Sequence, residues 1–600
     1  VIERGLRAAA ALARCPLPNL AEALPVMQKQ MLVLLRSAGG LHSAMAQAAL
    51  RALSIVLREG RAPPPPTRQL TELLTLVEPE LETPVAQASV FALLRAIVSR
   101  AFVVPEIYDI MDRVAELLVV SHDAQVRDIC RSLYLQFLLD YPQGQGRLQS
   151  QMQFLAKHLS YEKQGGRQSV LELVGAVLSK FSTEVVSQFS ELFFVALVML
   201  LANEESTACR QQAAQVLRTL LGAVHAPQRA TLMQMTRAWA TAQGSAQAQQ
   251  LASVALRVYE LAAERDQSSV AEDACVAIVQ ALQQGAEEGD ADAWRYVYQA
   301  LQTMQSLVQR DPHVWTHLAP AKEPLLILLT FPHAWCRVSA CRVLGASFAS
   351  QQPWTPSDLV RSARQLVSQL YSPFLDDALT LQVVRNLVFL GKKFADGIEE
   401  EHVEDEDDDE DVEQEDDEDE AEDEASTHED GPLVPARLSW LFTKLSHAAR
   451  LQHGGRSNES APKRAGAVLK WFAAMTSQLE ASVIGRFLVH ILSPILRIMD
   501  DEQAPEDLKT LANEVQDMVQ EYVGPVAFTR AYTHVKQTLM DKRRERKHSR
   551  LLETIANPER AAKRRTARNA GKHMSRKRKN QAFKGQRVGN KRARGSIRDP

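Results

Sequence analysis

The sequence predicts an all-α fold, a HEAT/armadillo-like superhelical solenoid of stacked helix pairs, and three observations lead there. Strand signals are scarce: 6% of the residues are aromatic, alternating apolar and polar runs are rare, and no Asn-Gly or Asp-Gly pair joins two such runs. Helical periodicity, by contrast, is widespread. In "TACRQQAAQVLRTLL", Cys209, Ala213, Val216, Leu217, Leu220 and Leu221 recur at spacings of three and four and form one apolar stripe. "DAQVRDICRSLYLQFLLDY" repeats the pattern with Val126, Cys130, Leu133 and Phe137, and Asp123 is placed to cap its first turn. The third observation is recurrence. Helices that follow a short polar turn start near Leu41, Pro84, Asp123, Gly166, Ser206, Ser245, Asp290, His333 and Phe374, a period of about 39 to 45 residues that is the period of HEAT-type repeats. A helix pair of this size cannot bury its apolar face alone, so each pair must lie on the next.

Taken in order, residues 1–398 read as helical repeats, 399–432 as an acidic disordered insertion, 433–556 as continuing repeats that end in a long helix, and 557–600 as a basic disordered tail. "PPPP" at Pro63 to Pro66 is a short, stiff inter-helix loop. After Phe374 the register breaks, and the next matching helices begin near Ser460 and Pro505. The interval holds a helix near Leu433 to Leu451 and roughly one period of additional sequence, most of it acidic, as expected of an insertion looped out of a continuing stack. Five repeats carry an arginine just after the turn: Arg127, Arg167, Arg210, Arg295 and Arg337. Recurrence at one place in the repeat points to bonds between neighbouring turns rather than to a ligand.

The formal net charge of −4 hides two opposite blocks. Glu399 to Asp430 holds 23 Asp and Glu with no Lys or Arg, Asp541 to Pro600 carries +17, and the remaining chain carries +2. Six cysteines form no CxxC pair, which fits a reducing compartment, cytosol or nucleus. The longest apolar runs, such as Leu192 to Ala202, fall short of the roughly 20 residues that span a bilayer. The chain begins at Val1 without a charged flank, apolar block and cleavage site behind it, and reads as a fragment of a longer protein.

Chemistry-bearing motifs are missing from the sequence. There is no phosphate-binding or dinucleotide glycine loop, no HExxH and no GxSxG. Gly144 to Gly146 is a plain turn. His333, Cys336 and Cys341 share no helix face that would hold a metal. Trp294, Trp335, Trp354, Trp440 and Trp471 lie on or beside helical stripes, where core packing is expected. No enzyme, catalytic residue, cofactor or metal is expected.

The basic end is the candidate site. Its residues are Lys542, Arg543, Arg544, Arg546, Lys547, Lys563, Arg564, Arg565, Lys572, Arg576, Lys577, Arg578, Lys579, Lys591, Arg592 and Arg594. Such clusters serve as nuclear import or nucleolar retention signals read by an import receptor, and equally as phosphate contacts to RNA. Phe583 is the only Phe, Tyr or Trp after Asp541, so the tail lacks a stacking platform for bases and holds by charge. Phe528, Tyr532, Val535 and Leu539 continue a helix into "DKRRERKHSRLLETIA". The acidic run reads either as a partner for the tail that suppresses RNA binding, or as a solvated spacer or a site for basic ribosomal proteins.

Several long stretches carry a resemblance. "FALLRAIVSRAFVVPEIYDIMDRVAELLVVSHDAQVRDICRSLYLQFLLDYPQG" (Phe91 to Gly144), "LSYEKQGGRQSVLELV" from Leu159, "PHAWCRVSACRVLGASFAS" from Pro332 and "ANPERAAKRR" from Ala556 closely resemble the C-terminal part of the small-subunit processome component 20 family, also called the down-regulated in metastasis family. The resemblance implies a nucleolar, non-catalytic HEAT-repeat scaffold that supports processing of the small-subunit ribosomal RNA precursor. Implied partners are pre-ribosomal RNA, a small nucleolar ribonucleoprotein and other processome proteins, with no membrane. A nuclear transport receptor and a generic protein–protein scaffold are the alternative readings.

Overall fold

The computed structural model describes residues 2–38, 40–59, 64–144, 146–241, 245–263, 269–288, 293–349, 354–373, 375–396, 436–451 and 460–556, together with 558, 559, 562, 563, 566 and 569. The acidic run from Glu399 to Asp430 lies outside the described residues. Among the described residues the regular elements are all helical, 25 α-helices joined by turns and short 3-10 segments. The fold is all-α, of the HEAT-like stacked-pair kind, and the chain divides into two compact units, Val1–Gln352 and Pro353–Pro600.

In the first unit one layer consists of Ala44–Arg58, Pro84–Ser99, Ala124–Asp140, Gln164–Lys180, Thr207–Ala223, Ala246–Ala262, Trp294–Arg310 and Ala334–Ala349, and each helix packs on the next. Their first residues lie 39 to 48 apart, so the period legible in the sequence is the stacking interval. The widest interval, from Ala246 to Trp294, contains the long helix Ser269–Glu288. A second layer, including Pro105–Val120, Ser190–Asn203 and Ala226–Ala240, packs on the first.

Local signals place these helices. Asp123 accepts the Gln125 N–H at 2.8 Å, Ser43 accepts that of Ala46 at 3.1 Å, and Ser245 accepts that of Ala248 at 3.1 Å. Each such cap contributes about 1 kcal/mol by satisfying a donor that a helix start leaves unpaired. The stripes read from the sequence are buried: Cys209, Ala213, Leu217 and Leu220 are all at 0% exposure. Polar ties then cross from repeat to repeat at the same interval. Arg51 Nε donates to Ser89 Oγ at 3.1 Å, and Gln302 Nε2 donates to Ser339 Oγ at 3.1 Å.

The second unit repeats the plan. Asp377–Asp396, Ala461–Gln478 and Glu506–Val523 form one layer; Pro356–Gln369, Ala436–Ala448, Ala481–Met499 and Pro525–Ala556 form the other. Each layer continues from the residues before the acidic run to those after it without losing a place. Trp471, at 0% exposure, meets Phe442 edge-on at 4.8 Å, and Phe442 stacks on Phe487 at 4.0 Å. Gly391 permits this core, because a Cβ there would stand 2.8 Å from Met475 Cε.

One described helix, Ala481–Met499, is long and apolar enough to cross a membrane by length and composition, at a mean hydropathy of 1.5. It is not one of the contiguous apolar runs, because Arg486, His490 and Arg497 interrupt it. The helix packs against Ala436–Ala448, Glu506–Val523 and Pro525–Ala556, and its apolar character is that of a helix with neighbours on several sides.

Candidate nucleic-acid interface

The basic site begins on the last helix, Pro525–Ala556, whose two halves differ. Gly524, at φ 91, turns the chain after Glu506–Val523, and Pro525 starts the new helix. Phe528 and Val535 are buried, and Tyr532 stacks on Phe528 at 5.9 Å. From Arg543 onward every described side chain is exposed. The anchored half therefore holds out a free half rich in arginine and lysine.

Six of the sixteen sequence-named residues are described. Lys542 sits at the edge of the packed half. Arg543 Nη2 meets Asp500 Oδ2 at 3.2 Å, and Arg544 Nη1 meets Asp541 Oδ1 at 3.4 Å, with both partners exposed in each pair. Pairs of this kind contribute about 0 to 1 kcal/mol and yield readily to a phosphate. Lys547 and Lys563 are exposed, and Arg546 lies on the same helix. Arg564, Arg565, Lys572, Arg576, Lys577, Arg578, Lys579, Lys591, Arg592 and Arg594 fall outside the described residues.

The repeat arginines behave differently. Arg127 Nη1 donates to the carbonyls of Ser121 at 2.8 Å and His122 at 3.1 Å; Arg167 Nη1 does so to Tyr161 and Glu162, both at 2.8 Å; Arg337 Nη1 does so to Phe331 at 2.8 Å and Pro332 at 2.7 Å. All three are the fourth residue of their helix and reach back six and five residues, closing the preceding turn. Arg167 also grips the Glu204 carboxylate of the next repeat, at 2.7 and 2.8 Å. Burial works to raise the Glu204 pKa, but the bonds from Arg167 and from backbone N–H groups outweigh it and hold the carboxyl below its usual range.

Two of the five expected ladder members differ. Arg210 has the right register but is exposed. Arg295 is the second residue of its helix and lies over the Trp294 ring at 5.5 Å. The sequence reading also missed one. Arg464, again a fourth residue, is 3% exposed and donates to the Ala448 carbonyl at 2.7 Å with its guanidinium over Tyr371 at 4.4 Å. Counting from the helix start rather than from the turn would have found it.

The tryptophan expectation also needs correction. Trp471 is core, but Trp335 is 58% exposed. It stands edge-on to Trp294 at 5.5 Å and to His333 at 5.5 Å, and those two stack at 4.0 Å. As the second residue of its helix Trp335 lies against Trp294 and Tyr298 of the neighbouring repeat while staying largely in solvent, a placement that a periodic stripe cannot reveal.

Among the described residues no cluster of three His, Cys, Asp or Glu could hold a metal. Burial pushes the thiols of Cys130, Cys275, Cys336 and Cys341 up to about 12, which keeps them protonated and unreactive at neutral pH.

Fold and site together define a two-layered α-helical repeat protein with a basic helical arm. The family model "Small subunit processome component 20 homolog, C-terminal" matches residues 228–582, and the chain belongs to that family. Its relatives include "U3 small nucleolar RNA-associated protein 20" of Schizosaccharomyces pombe, 26% identical over 517 residues, covering 82% of this chain and 19% of that protein. The protein of the same name in Saccharomyces cerevisiae is 25% identical over 562 residues, covering 92% of this chain and 22% of that one. The chain thus spans about a fifth of the length of these relatives. Among solved structures, the karyopherin Kap121p bound to Nup53p matches with a TM-score of 0.46 at 13% identity, over 94% of this chain and 52% of that one.

Proposed function

We propose that this chain is a non-catalytic scaffold segment of the small-subunit processome, supporting processing of the small-subunit ribosomal RNA precursor and small ribosomal subunit biogenesis in the nucleolus. The observation that carries the reading is family membership over residues 228–582. The name of the relatives, associated with U3 small nucleolar RNA, supports pre-ribosomal RNA, the small nucleolar ribonucleoprotein and other processome proteins as partners. A stack of helix pairs suits the role, because its neighbour-only contacts offer a long surface on which several partners can line up. In this reading residues 399–432 and 557–600 are charged appendages to the repeats. The tail is both the address read by an import receptor and a sequence-independent phosphate grip.

Gradient sedimentation of the full-length protein tests the scaffold reading. Co-sedimentation with large pre-ribosomal particles, and accumulation of unprocessed precursor RNA on depletion, are expected. Sedimentation as free protein with normal precursor processing after depletion would overturn it.

A further inference from the structure

Charge in the first unit is sorted by layer. The eight stacked helices from Ala44–Arg58 to Ala334–Ala349 hold 14 Lys and Arg against 4 Asp and Glu, and 13 of the 14 are arginine. Five helices packed behind them, Pro105–Val120, Arg147–His158, Ser190–Asn203, Ala226–Ala240 and Ser269–Glu288, hold 5 against 9. The nearly neutral total conceals this split, because the two layers alternate along the sequence.

The surplus reaches solvent. In Pro84–Ser99 the exposed described residues are Pro84, Ala88, Ala92, Arg95 and Ser99, one stripe at spacings of three and four. Arg51 and Arg58 are exposed on the preceding helix, and neither of these two helices contains Asp or Glu. Half-buried Arg131 and Arg257 and exposed Arg342 continue the stripe along the layer. Its carboxylates are already engaged, Asp128 and Glu172 by Arg131 and Glu260 by Arg257. Glu59 and Asp140 stand only at helix ends. Arg51, Arg58, Arg95 and Arg342 have no ion pair among the described residues, and Arg51 is steadied by Ser89. A ring shares the stripe: Trp335, 58% exposed, lies two turns before Arg342 on the same side of its helix.

We propose that the outward stripe of this layer is a second RNA surface, separate from the tail, that takes an unpaired strand. Arg51, Arg58, Arg95 and Arg342 meet its phosphates, and Trp335 stacks a base. Arginines repeated from helix to helix, at the about 8 to 10 Å that separates packed helices, fit an extended polyanion rather than a small anion. Guanidinium forks match phosphate oxygens, and an open indole takes a base on its face. An acidic polypeptide would satisfy the arginines but leave the indole unused. The tail holds by charge and makes no distinction between paired and unpaired RNA, whereas a stripe with a ring in it does. The inference rests on the reading of this chain as one that works on precursor RNA, and deepens it by giving the repeats their own contact.

The test is binding of a labelled single-stranded RNA to the full-length protein over a range of salt. Arg51→Glu, Arg58→Glu and Arg95→Glu together should weaken binding roughly tenfold or more and lower the slope of log affinity against log salt by roughly 2. Lys29→Glu, Arg68→Glu and Lys157→Glu make an equal change of charge at exposed residues outside the layer. They should leave affinity within about twofold, since distant charges are screened. Trp335→Ala should weaken single-stranded RNA about fivefold or more and leave duplex RNA unchanged, while Trp335→Phe keeps most of the affinity. Unchanged affinity in the arginine variant, an equal loss in the control, or a Trp335→Ala effect that is nil or the same for both RNAs would each overturn the proposal. So would photo-crosslinks from position 95 in cells that reach protein and no RNA, which would assign the arginines to an acidic partner. The substituted arginines are exposed, so an unchanged melting temperature separates lost binding from lost folding. Sedimentation with pre-ribosomal particles reads the scaffold role and these titrations read the stripe, so either can fail while the other stands.

Discussion

The arginines of the repeats and those of the last helix are the same residue put to opposite uses. Arg337 and Arg464 are 4% and 3% exposed and spend their donors on carbonyls of their own chain. Arg543 and Arg544 keep most of their surface in water and meet only exposed carboxylates. What separates the two groups is position. At the fourth position of a helix Arg337 and Arg464 turn inward onto carbonyls of the preceding chain, though Arg210 at the same position does not, whereas a helix that has outrun its last neighbour leaves its charges in solvent. A count of basic residues would put both groups in one class, and the geometry separates buried members such as Arg337 and Arg464 from the exposed arginines of the last helix.

The comparison can be broken most severely at the buried end. Arg337→Met should cost about 3 kcal/mol, because it strands the buried Phe331 carbonyl as well as removing two charge-assisted bonds; urea denaturation reads this, and a loss below about 0.5 kcal/mol would show that the ladder is ornamental. Next comes the glycine that lets the turns approach. A Cβ at Gly166 would lie 2.5 Å from the Val119 carbonyl oxygen, so Gly166→Ala should cost about 1 to 3 kcal/mol, read as a lowered melting temperature.

A smaller effect is tied to pH. The Glu204 carboxyl is held below its ordinary value of 4.5. Its folded pKa is depressed, so its stabilisation is fully present above that value and is lost as pH falls through the folded pKa. In Arg167→Ala the difference in stability from the parent chain should therefore be largest near neutral pH and shrink below about pH 4. A difference that grows on acidification would contradict the assigned pair. The smallest stability effect belongs to the free end. Changing Arg543, Arg544 and Lys547 together to Ala should alter stability by less than about 0.5 kcal/mol per site. The same change should lower the slope of log affinity against log salt for RNA by roughly 2 to 3. An unchanged slope would remove this half of the helix from the phosphate grip and leave RNA binding to the distal tail.

Much of this molecule is legible in one dimension. Helix starts near Pro84, Asp123, Ser206 and Ser245 fall within a residue or two of those observed, because capping residues and apolar stripes are local signals and stacking enforces one interval. The basic helix was legible for the same reason, as the apolar stripe from Phe528 to Leu539 runs straight into the charges. Trp335 was misread as core and Arg464 was overlooked, since whether a side chain reaches a neighbour depends on where that neighbour ends. Leu551, Leu552 and Ile555 are exposed although three aliphatic residues in a helix ordinarily signal burial.

By itself, then, the sequence determined the all-α class, the repeat interval, the two charged blocks and the family, all of which follow from periodicity, composition and long runs of similar residues. Only the tertiary structure decided which arginines turn inward, where the chain divides into two units at 352 and 353, and where the last helix leaves its neighbours. Those outcomes depend on which surfaces meet, and contact between residues some 40 positions apart is a property of packing that no local pattern encodes.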